Sequence, residues 1–511
     1  MPGTILENLS GKKLSVLVTI LLASQLACFL VGLIAPSPAK SQPILTTVCI
    51  DENPAADNIN RWFTRKCPKS IELSHEKVAL GLDAKNLVFV AEMPLYDQNL
   101  VGVLQLDVLY QEGHKVDKTS ELTLDARLAY SDKSSNNGRT PWQYLTHAEE
   151  KRYMDCVFED ENITEKDGYP YSCTMVHLFE LGSIYHDYYL LNLRLPYNDT
   201  IKKNVGLGKL GDIYLHMIHM NGGYMKVWVS LKTFFFPIII GIMVWFWRRV
   251  HMLNRMPALL EYMLMSLGGT LAFLNLPVEY LTLIFDMPYM LLVSDIRQGI
   301  FYAMLLSFWL VFAGEHMLIQ DNGEKNSLKM YWKHLSTIVI GCVCLLIFDL
   351  CERGVQLVNP FYSIWVTPIG TNLALSFIIL AGMSASMYFI FLCYMIWQVF
   401  KNISIKKAIL PSMSQARRLH YEGIIYLAEG QNKWDEDMDL ELSSVLHTGV
   451  YGMWNVYICA MLMLYAPSHK QWPSDTICGD GEEVEFSRLP TEAIPSQISS
   501  LTSFATKASI E

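Results

Sequence analysis

The sequence predicts a polytopic α-helical membrane protein with a lumenal β-sandwich-type domain inserted between its first and second membrane helices. Three observations predict this fold class. The chain of 511 residues is 51% hydrophobic and only 18% charged, whereas soluble domains contain about 25% charged residues. Its apolar residues form long runs near the N-terminus and after residue 225. The polar region between these runs alternates apolar and polar residues, which is typical of half-buried strands.

The first apolar run covers residues 14–35 and follows Lys12 and Lys13. At about 1.5 Å per residue, a helix of this length crosses a hydrocarbon core about 30 Å thick. We therefore expect a first membrane helix here, with residues 1–13 in the cytosol. A cleavable signal peptide is the alternative, because small residues of the kind found at cleavage sites follow at 35–39.

Residues 36–225 form the predicted lumenal domain. In the clearest stretch, 121–130, every even position is apolar. Stretches 104–110 and 189–195 repeat this period of two. Because successive side chains of a strand point to opposite faces, the pattern predicts strands with one buried face and a sandwich of two sheets.

Four of the eleven cysteines lie in this polar region, namely Cys49, Cys67, Cys156 and Cys173. An even number of cysteines after an apolar N-terminal segment indicates two disulfides in an oxidising lumen. Three connectivities are possible, and we favour the sequential one, Cys49 with Cys67 and Cys156 with Cys173. A zinc site is the alternative, but it lacks a second close-spaced cysteine pair.

Two glycosylation sequons, at Asn162 and Asn198, also fall in the predicted lumenal domain. Their position agrees with a lumenal location. Similar triplets at Asn8 and Asn402 lie on the predicted cytosolic side, so the sequons alone decide little.

A multi-helix membrane bundle is predicted over residues 226–466. It contains six apolar segments, near 231–247, 258–285, 290–313, 335–350, 371–400 and 446–466. Lysine and arginine clusters follow the second, fourth and sixth membrane segments of the chain, which places those loops in the cytosol. The remaining residues, 467–511, are polar and lack apolar periodicity, so we expect a disordered tail.

Ionisable residues near the ends of these segments are the candidate functional groups of the bundle. They are Asp295, Arg297, Glu315, His316, Asp349, Glu352 and Arg353. Ion pairs that lock the bundle are one interpretation, and a lumenal rim that faces a ligand is the other. Neither a GxSxG nor an HExxH pattern is present, so we expect no enzyme, no catalytic or metal site and no cofactor. The chain also lacks a basic tract for nucleic acid.

A tyrosine motif lies in the cytosolic loop after residue 400. Tyr421 precedes Ile424 by three residues, and such a pair can bind a sorting adaptor as an extended peptide. The start of a membrane-proximal helix is the alternative interpretation.

Several long and unusual stretches resemble the Wntless family, and insect members in particular. They are Ile218–Gly223, Asp295–Tyr302, Cys351–Trp365, Arg417–Gly423 and Tyr465–Lys470. The resemblance implies a dedicated carrier, not an enzyme, that collects palmitoleoylated Wnt proteins in the endoplasmic reticulum. Such carriers pass through the Golgi apparatus to the plasma membrane and return by endocytosis through endosomes. Clathrin adaptors and retrograde sorting machinery are the implied cytosolic partners, and Tyr421 and Ile424 match the endocytic motif.

The resemblance also implies a receptor-like helical bundle with a cavity, open to membrane lipid, that receives the acyl chain. Aromatic residues that could line such a cavity are Phe301, Tyr302, Phe308, Tyr388 and Phe389. Plain helix packing is the alternative role for these side chains.

One departure from the family pattern follows the tyrosine motif. The family has another apolar segment after residue 426, whereas residues 427–445 here are too polar to span a membrane. A splice variant or a gene-model deletion would explain the missing segment. With seven segments, either the last one crosses in reverse and the tail is lumenal, or it does not cross properly. A seven-helix signalling receptor and a truncated, non-functional carrier are the alternative functions.

Overall fold

A computed structural model describes most of the chain. The described residues are 5–6, 10–52, 61–71, 78–79, 86–93, 99–111, 116, 119–133, 140–157, 168–253, 255–283, 285, 287–317, 328–406 and 444–468. They form a β domain and a helical bundle. The predicted fold class is confirmed, because the β domain lies between the first and second apolar helices.

The β domain contains twelve described strands in two antiparallel sheets. The strands are β1 (Ala39–Leu45), β2 (Thr47–Ile50), β3 (Ser70–Ile71), β4 (Val78–Ala79), β5 (Leu87–Met93), β6 (Leu100–Leu109), β7 (Thr119–Ser131), β8 (Gln143–Val157), β9 (Ser172–Cys173), β10 (Val176–Leu181), β11 (Tyr188–Arg194) and β12 (Lys209–Met220). One sheet has the order β1-β12-β6-β10, with β4 beside β12. The other has the order β3-β2-β5-β11-β7-β8-β9.

The core of the β domain lies between the two sheets and follows the alternation in the sequence. Leu122, Leu124 and Leu128 of β7 are fully buried there, together with Leu104 of β6 and Leu191 of β11. Each of these strands therefore presents one apolar face to the opposite sheet.

Two disulfides fasten the outer parts of the second sheet. The structure pairs Cys49 with Cys67, with their Cα atoms 6.0 Å apart, and Cys156 with Cys173, with theirs 4.1 Å apart. This is the sequential connectivity. The first bond joins β2 to the segment before β3, and the second joins opposed residues of β8 and β9.

Seven helices are described, and six are long and apolar enough to cross a membrane. The helices are α1 (Gly11–Ile34), α2 (Gly222–His251), α3 (Leu259–Asn275), α4 (Met290–Met317), α5 (Leu328–Gln356), α6 (Pro368–Lys406) and α7 (Ser444–Leu464). Helix α2 begins inside the predicted lumenal range 36–225, because the Asn221 side chain caps it by accepting from the Gly223 N–H at 3.1 Å.

The predicted segment 258–285 is divided in the structure. Helix α3 ends at Asn275 and a 3-10 helix, Val278–Leu283, follows it. Pro277 explains the division, because a proline disfavours helical backbone in the preceding residue, and Leu276, with φ −58° and ψ 118°, is not helical.

Helix α7 runs antiparallel to α1. At the lumenal end of α1, the Ser444 hydroxyl donates to the Gly32 carbonyl at 2.8 Å. At the opposite end, the Ile5 N–H donates to the Ala466 carbonyl at 2.9 Å. Because α6 also runs away from the β domain, α6 and α7 point in the same direction. The end of α6 and the start of α7 therefore lie at opposite ends of the bundle, and the last apolar segment is not reversed in the structure.

Candidate functional site

A group of buried charges lies inside the bundle. Lys232 of α2 donates from Nζ to Oε1 of Glu279, in the 3-10 helix, at 2.5 Å. Nη1 of Arg297, on α4, lies 3.9 Å from the same oxygen. All three side chains are at least nine-tenths buried. Burial at membrane depth costs several kcal/mol per charge unless the charges are paired, so these ion pairs hold three elements together.

Arg297 also binds the carboxyl end of α3. Its Nε donates to the Phe273 carbonyl at 3.0 Å, and its Nη2 donates to the carbonyls of Leu274 and Leu276. The last carbonyls of a helix lack partners within the helix and carry partial negative charge. The guanidinium therefore caps the carboxyl end of α3, in addition to its ion pair with Glu279.

Buried amides continue this polar interior into α7. The Asn275 Nδ2 donates to the Asn455 Oδ1 at 2.5 Å, and the Tyr451 hydroxyl donates to the Asn275 Oδ1. Asn455 Nδ2 also donates to the Tyr451 carbonyl at 2.8 Å. Hydrogen bonds of this kind between helices stabilise membrane bundles, and here they join α3 to α7.

The predicted ionisable residues at the lumenal ends of α4 and α5 form a separate cluster. Arg353 Nε lies 3.1 Å from a carboxylate oxygen of Asp295 and 4.0 Å from one of Asp349. The Arg353 Nη1 donates to Glu180 of β10 at 2.7 Å. Asp295 thus pairs with Arg353 and not with its sequence neighbour Arg297. Glu352 adds a further negative charge beside Arg353. The side chains of Glu315 and His316 lie outside the described part of the structure.

The five aromatic candidates lie in different surroundings. Phe301 and Phe308 of α4 are buried in the bundle core. Tyr302 is 40% exposed and Phe389 is 64% exposed on the outer surface of the bundle. The Tyr388 hydroxyl donates to the Leu306 carbonyl at 3.4 Å, which joins α6 to α4.

The other predicted sites divide between described and undescribed residues. Tyr421 and Ile424 lie in 407–443, and Asn162 lies in 158–167, both outside the described residues. Asn198 lies in a turn after β11, where the Thr200 hydroxyl donates to its side-chain oxygen at 2.6 Å.

Sequence reasoning missed several residues of the polar interior. Lys232, Asn275 and Glu279 lie within the predicted segments 231–247 and 258–285. Their polarity inside an apolar run was the available signal, because such residues normally face the bundle interior.

The two regions together define the class of protein. Two disulfides stabilise a β-sandwich whose first and last strands continue into apolar helices, and those helices pack around buried charges and amides. This is a multi-pass membrane protein with an extracytoplasmic β domain.

Comparison with known proteins gives the family. Residues 47–220 match the family model of the Wntless GOLD domain, and residues 221–469 match that of the Wntless-like transmembrane domain. The chain therefore belongs to the Wntless family.

Relatives match over the whole chain. It is 50% identical to Protein wntless of Drosophila mojavensis over 568 aligned positions, and equally identical to the proteins of that name in Drosophila virilis and Drosophila ananassae. All of each chain is covered. The 568 positions exceed the 511 residues of this chain by 57. At least 57 residues of the Drosophila mojavensis protein therefore have no counterpart in this chain.

Proposed function

We propose that this protein is a cargo receptor that binds lipid-modified Wnt proteins in the endoplasmic reticulum and carries them through the Golgi apparatus to the plasma membrane. The observation that carries the proposal is membership of the Wntless family over both domains. It supports a role in Wnt secretion for the whole chain.

The physical reason for such a carrier is the acyl chain of the cargo. Exposing an acyl chain to water costs about 0.8 kcal/mol per CH₂ group, so a secreted lipid-modified protein needs continuous shelter. In this proposal the β-sandwich binds the protein part of Wnt, and the helical bundle shelters the acyl chain beside membrane lipid.

Co-precipitation tests this proposal. The full chain should recover wild-type Wnt much better than a Wnt variant in which the acylated serine is replaced by alanine. A control precipitation with an unrelated multi-pass protein sets the background. Equal recovery of both Wnt forms would contradict the acyl-dependent part of the proposal, and recovery of neither would contradict the carrier function itself.

Return from the plasma membrane is the second part of the proposal. Tyr421 and Ile424 fit the two side-chain anchors of an adaptor-binding peptide in a cytosolic loop. Tyr421→Ala should therefore raise the amount of protein at the cell surface and slow its uptake. Tyr426→Ala in the same loop is the matched control. Unchanged uptake of the Tyr421 variant would exclude the motif as an endocytic signal.

A further inference from the structure

The loop between α5 and α6 enters the lumenal domain. Phe361 of this loop is fully buried and belongs to the core of the sandwich. Its ring packs edge-to-face against Phe179 of β10, with the ring centroids 5.9 Å apart. A residue of the membrane region therefore completes the core of the β domain.

Backbone hydrogen bonds hold the same loop in place. The Glu180 N–H donates to the Pro360 carbonyl at 2.9 Å. Arg152 of β8 is buried, and its Nη2 donates to the Phe361 carbonyl. Its Nε donates to the His177 carbonyl of β10 at 2.9 Å. Because a buried guanidinium is costly unless its N–H groups are paired, the loop carbonyl helps to satisfy Arg152, which also pairs with Glu150.

Ionic contacts join the same place to α4. Arg353, in the last turn of α5, contacts Glu180 of β10 and Asp295 of α4 within 3.1 Å. The Ser183 hydroxyl, just after β10, also donates to the Met287 carbonyl at 3.1 Å, shortly before α4 begins. Strand β10 and the residues just after it thus contact the loop, α5 and the segment that leads into α4.

The two helices on either side of this loop lie at the edge of the bundle. In the apolar stretch of α5 only 11% is buried, and in that of α6 only 6%, compared with 39% in the segment that contains α3. Helices α5 and α6 pack on each other and on α4. With few other contacts to the described residues, their position depends strongly on what holds their lumenal ends.

We infer that Arg152, Glu180, Arg353 and Phe361 form a lumenal clasp that positions the α5–α6 pair relative to α4, so that the β domain and this helix pair move together. Coupling of this kind is reciprocal. A ligand that shifts the β domain shifts the helix pair, and a ligand beside the helix pair shifts the β domain. These contacts lie within this chain and form without the proposed cargo.

Hydrogen exchange measured by mass spectrometry on the full chain in lipid nanodiscs tests the clasp. Phe361→Ala should speed exchange at the lumenal ends of α5 and α6 by about tenfold or more, because buried contacts set the local opening equilibrium. Phe361→Leu should give a smaller effect of the same pattern, and it serves if the alanine variant does not fold. Val358→Ala in the same loop is the matched control, because Val358 is 84% exposed.

A second control separates coupling from general loosening of the sandwich. Leu124→Ala removes a buried side chain of the same core, distant from the loop in sequence, and should speed exchange in the β domain without changing α5 and α6. The clasp is overturned if Phe361→Leu changes only the β domain, or if Leu124→Ala changes the helix pair equally.

The reverse direction provides an independent measurement. Arg353→Gln removes the ion pairs from the side of the bundle and should speed exchange in β10. Glu180→Gln, changed from the side of the β domain, should speed exchange at the lumenal end of α5. Unchanged β10 in the first variant, or unchanged α5 in the second, would contradict reciprocal coupling.

Discussion

The β domain and the helical bundle bury different kinds of residue. In the sandwich, Leu122 and Leu124 are fully buried, whereas Glu121 is exposed and Asp125 partly exposed on the other face of the same strand. In the bundle, Ile379 and Phe389 are more than half exposed, whereas Asn275 and Asn455 are fully buried. Hydrophobicity drives burial in water, but it cannot distinguish a protein interior from lipid.

Small residues also mark the interior of the bundle. A Cβ atom at Gly449 would overlap the ring of Phe29, and one at Gly452 would overlap Cys28. Close approach of α1 and α7 therefore depends on glycine, as expected where packing replaces the hydrophobic effect. We therefore expect that removing buried polar groups or tightly packed glycines destabilises the bundle, and that removing a disulfide destabilises the sandwich.

The largest expected effect follows from removing the carboxylate of the buried charge group. Glu279→Ala leaves Lys232 and Arg297 without their shared partner, which should destabilise the bundle by about 3 to 5 kcal/mol. Thermal unfolding of the purified protein in detergent measures this loss. The double variant Lys232→Met, Glu279→Met should recover part of it, because one uncompensated cation is then absent. A Glu279→Ala protein as stable as the wild type would show that the ion pairs do not stabilise the bundle.

The second-largest expected effect follows from removing a disulfide of the sandwich. Each disulfide closes a loop of similar length, with separations of 18 and 17 residues, and loops of this size give about 3 kcal/mol. Replacing Cys49 and Cys67 together by serine should lower the unfolding temperature of the β domain by the corresponding amount. The matched control replaces Cys342 and Cys344, which are free cysteines. An equal loss in both proteins would show that the effect does not come from the disulfide.

The third effect concerns close packing of α1 and α7. Gly449→Ala should cost about 1 to 3 kcal/mol, since an added methyl group overpacks a tight contact. Gly241→Ala on α2 is the matched control, because no atom lies within 4 Å of an added Cβ there. Unfolding temperatures of both variants measure the difference. Equal stability would contradict the close contact of α7 with α1.

These rules explain what could be predicted from the sequence. The alternation at 121–130 specified strand β7 and its buried face, because water gives the two faces different energies. The apolar runs indicated where most of the membrane helices lie. The runs did not show which side of each helix faces the interior, so Phe301 and Phe389 received the same interpretation although only Phe301 is buried.

Residues that join distant parts of the chain were the hardest to predict. Arg152 and Phe361 contact each other across more than two hundred positions, and no local pattern links them. Asp295 and Arg297 are close in sequence, but a helix places residues two positions apart on different sides. Each therefore binds a partner on another element, Asp295 with Arg353 and Arg297 with the end of α3.

The smallest expected effect concerns the pH dependence of the sandwich. Burial lowers the pKa of His177 on β10 below its ordinary value of 6.5, with Glu180 opposing the shift and Arg152 adding to it. The unfolded chain therefore binds the proton more tightly than the folded domain does. The contribution of the neutral His177 ring to the stability of the folded domain is fully present above pH 6.5. It is lost as the pH falls below this value.

Unfolding temperatures between about pH 7.5 and about pH 5.5 measure this dependence, and the His177→Gln variant should show a smaller decrease than the wild type over that range. His147→Gln is the matched control, because His147 lies on the exposed face of β8 beside Asp125. A wild-type decrease that persists unchanged in the His177 variant would assign the pH dependence to other groups. Arg152 binds the His177 carbonyl and not the ring. The His177→Gln change therefore keeps this packing contact and tests only the charge of the ring.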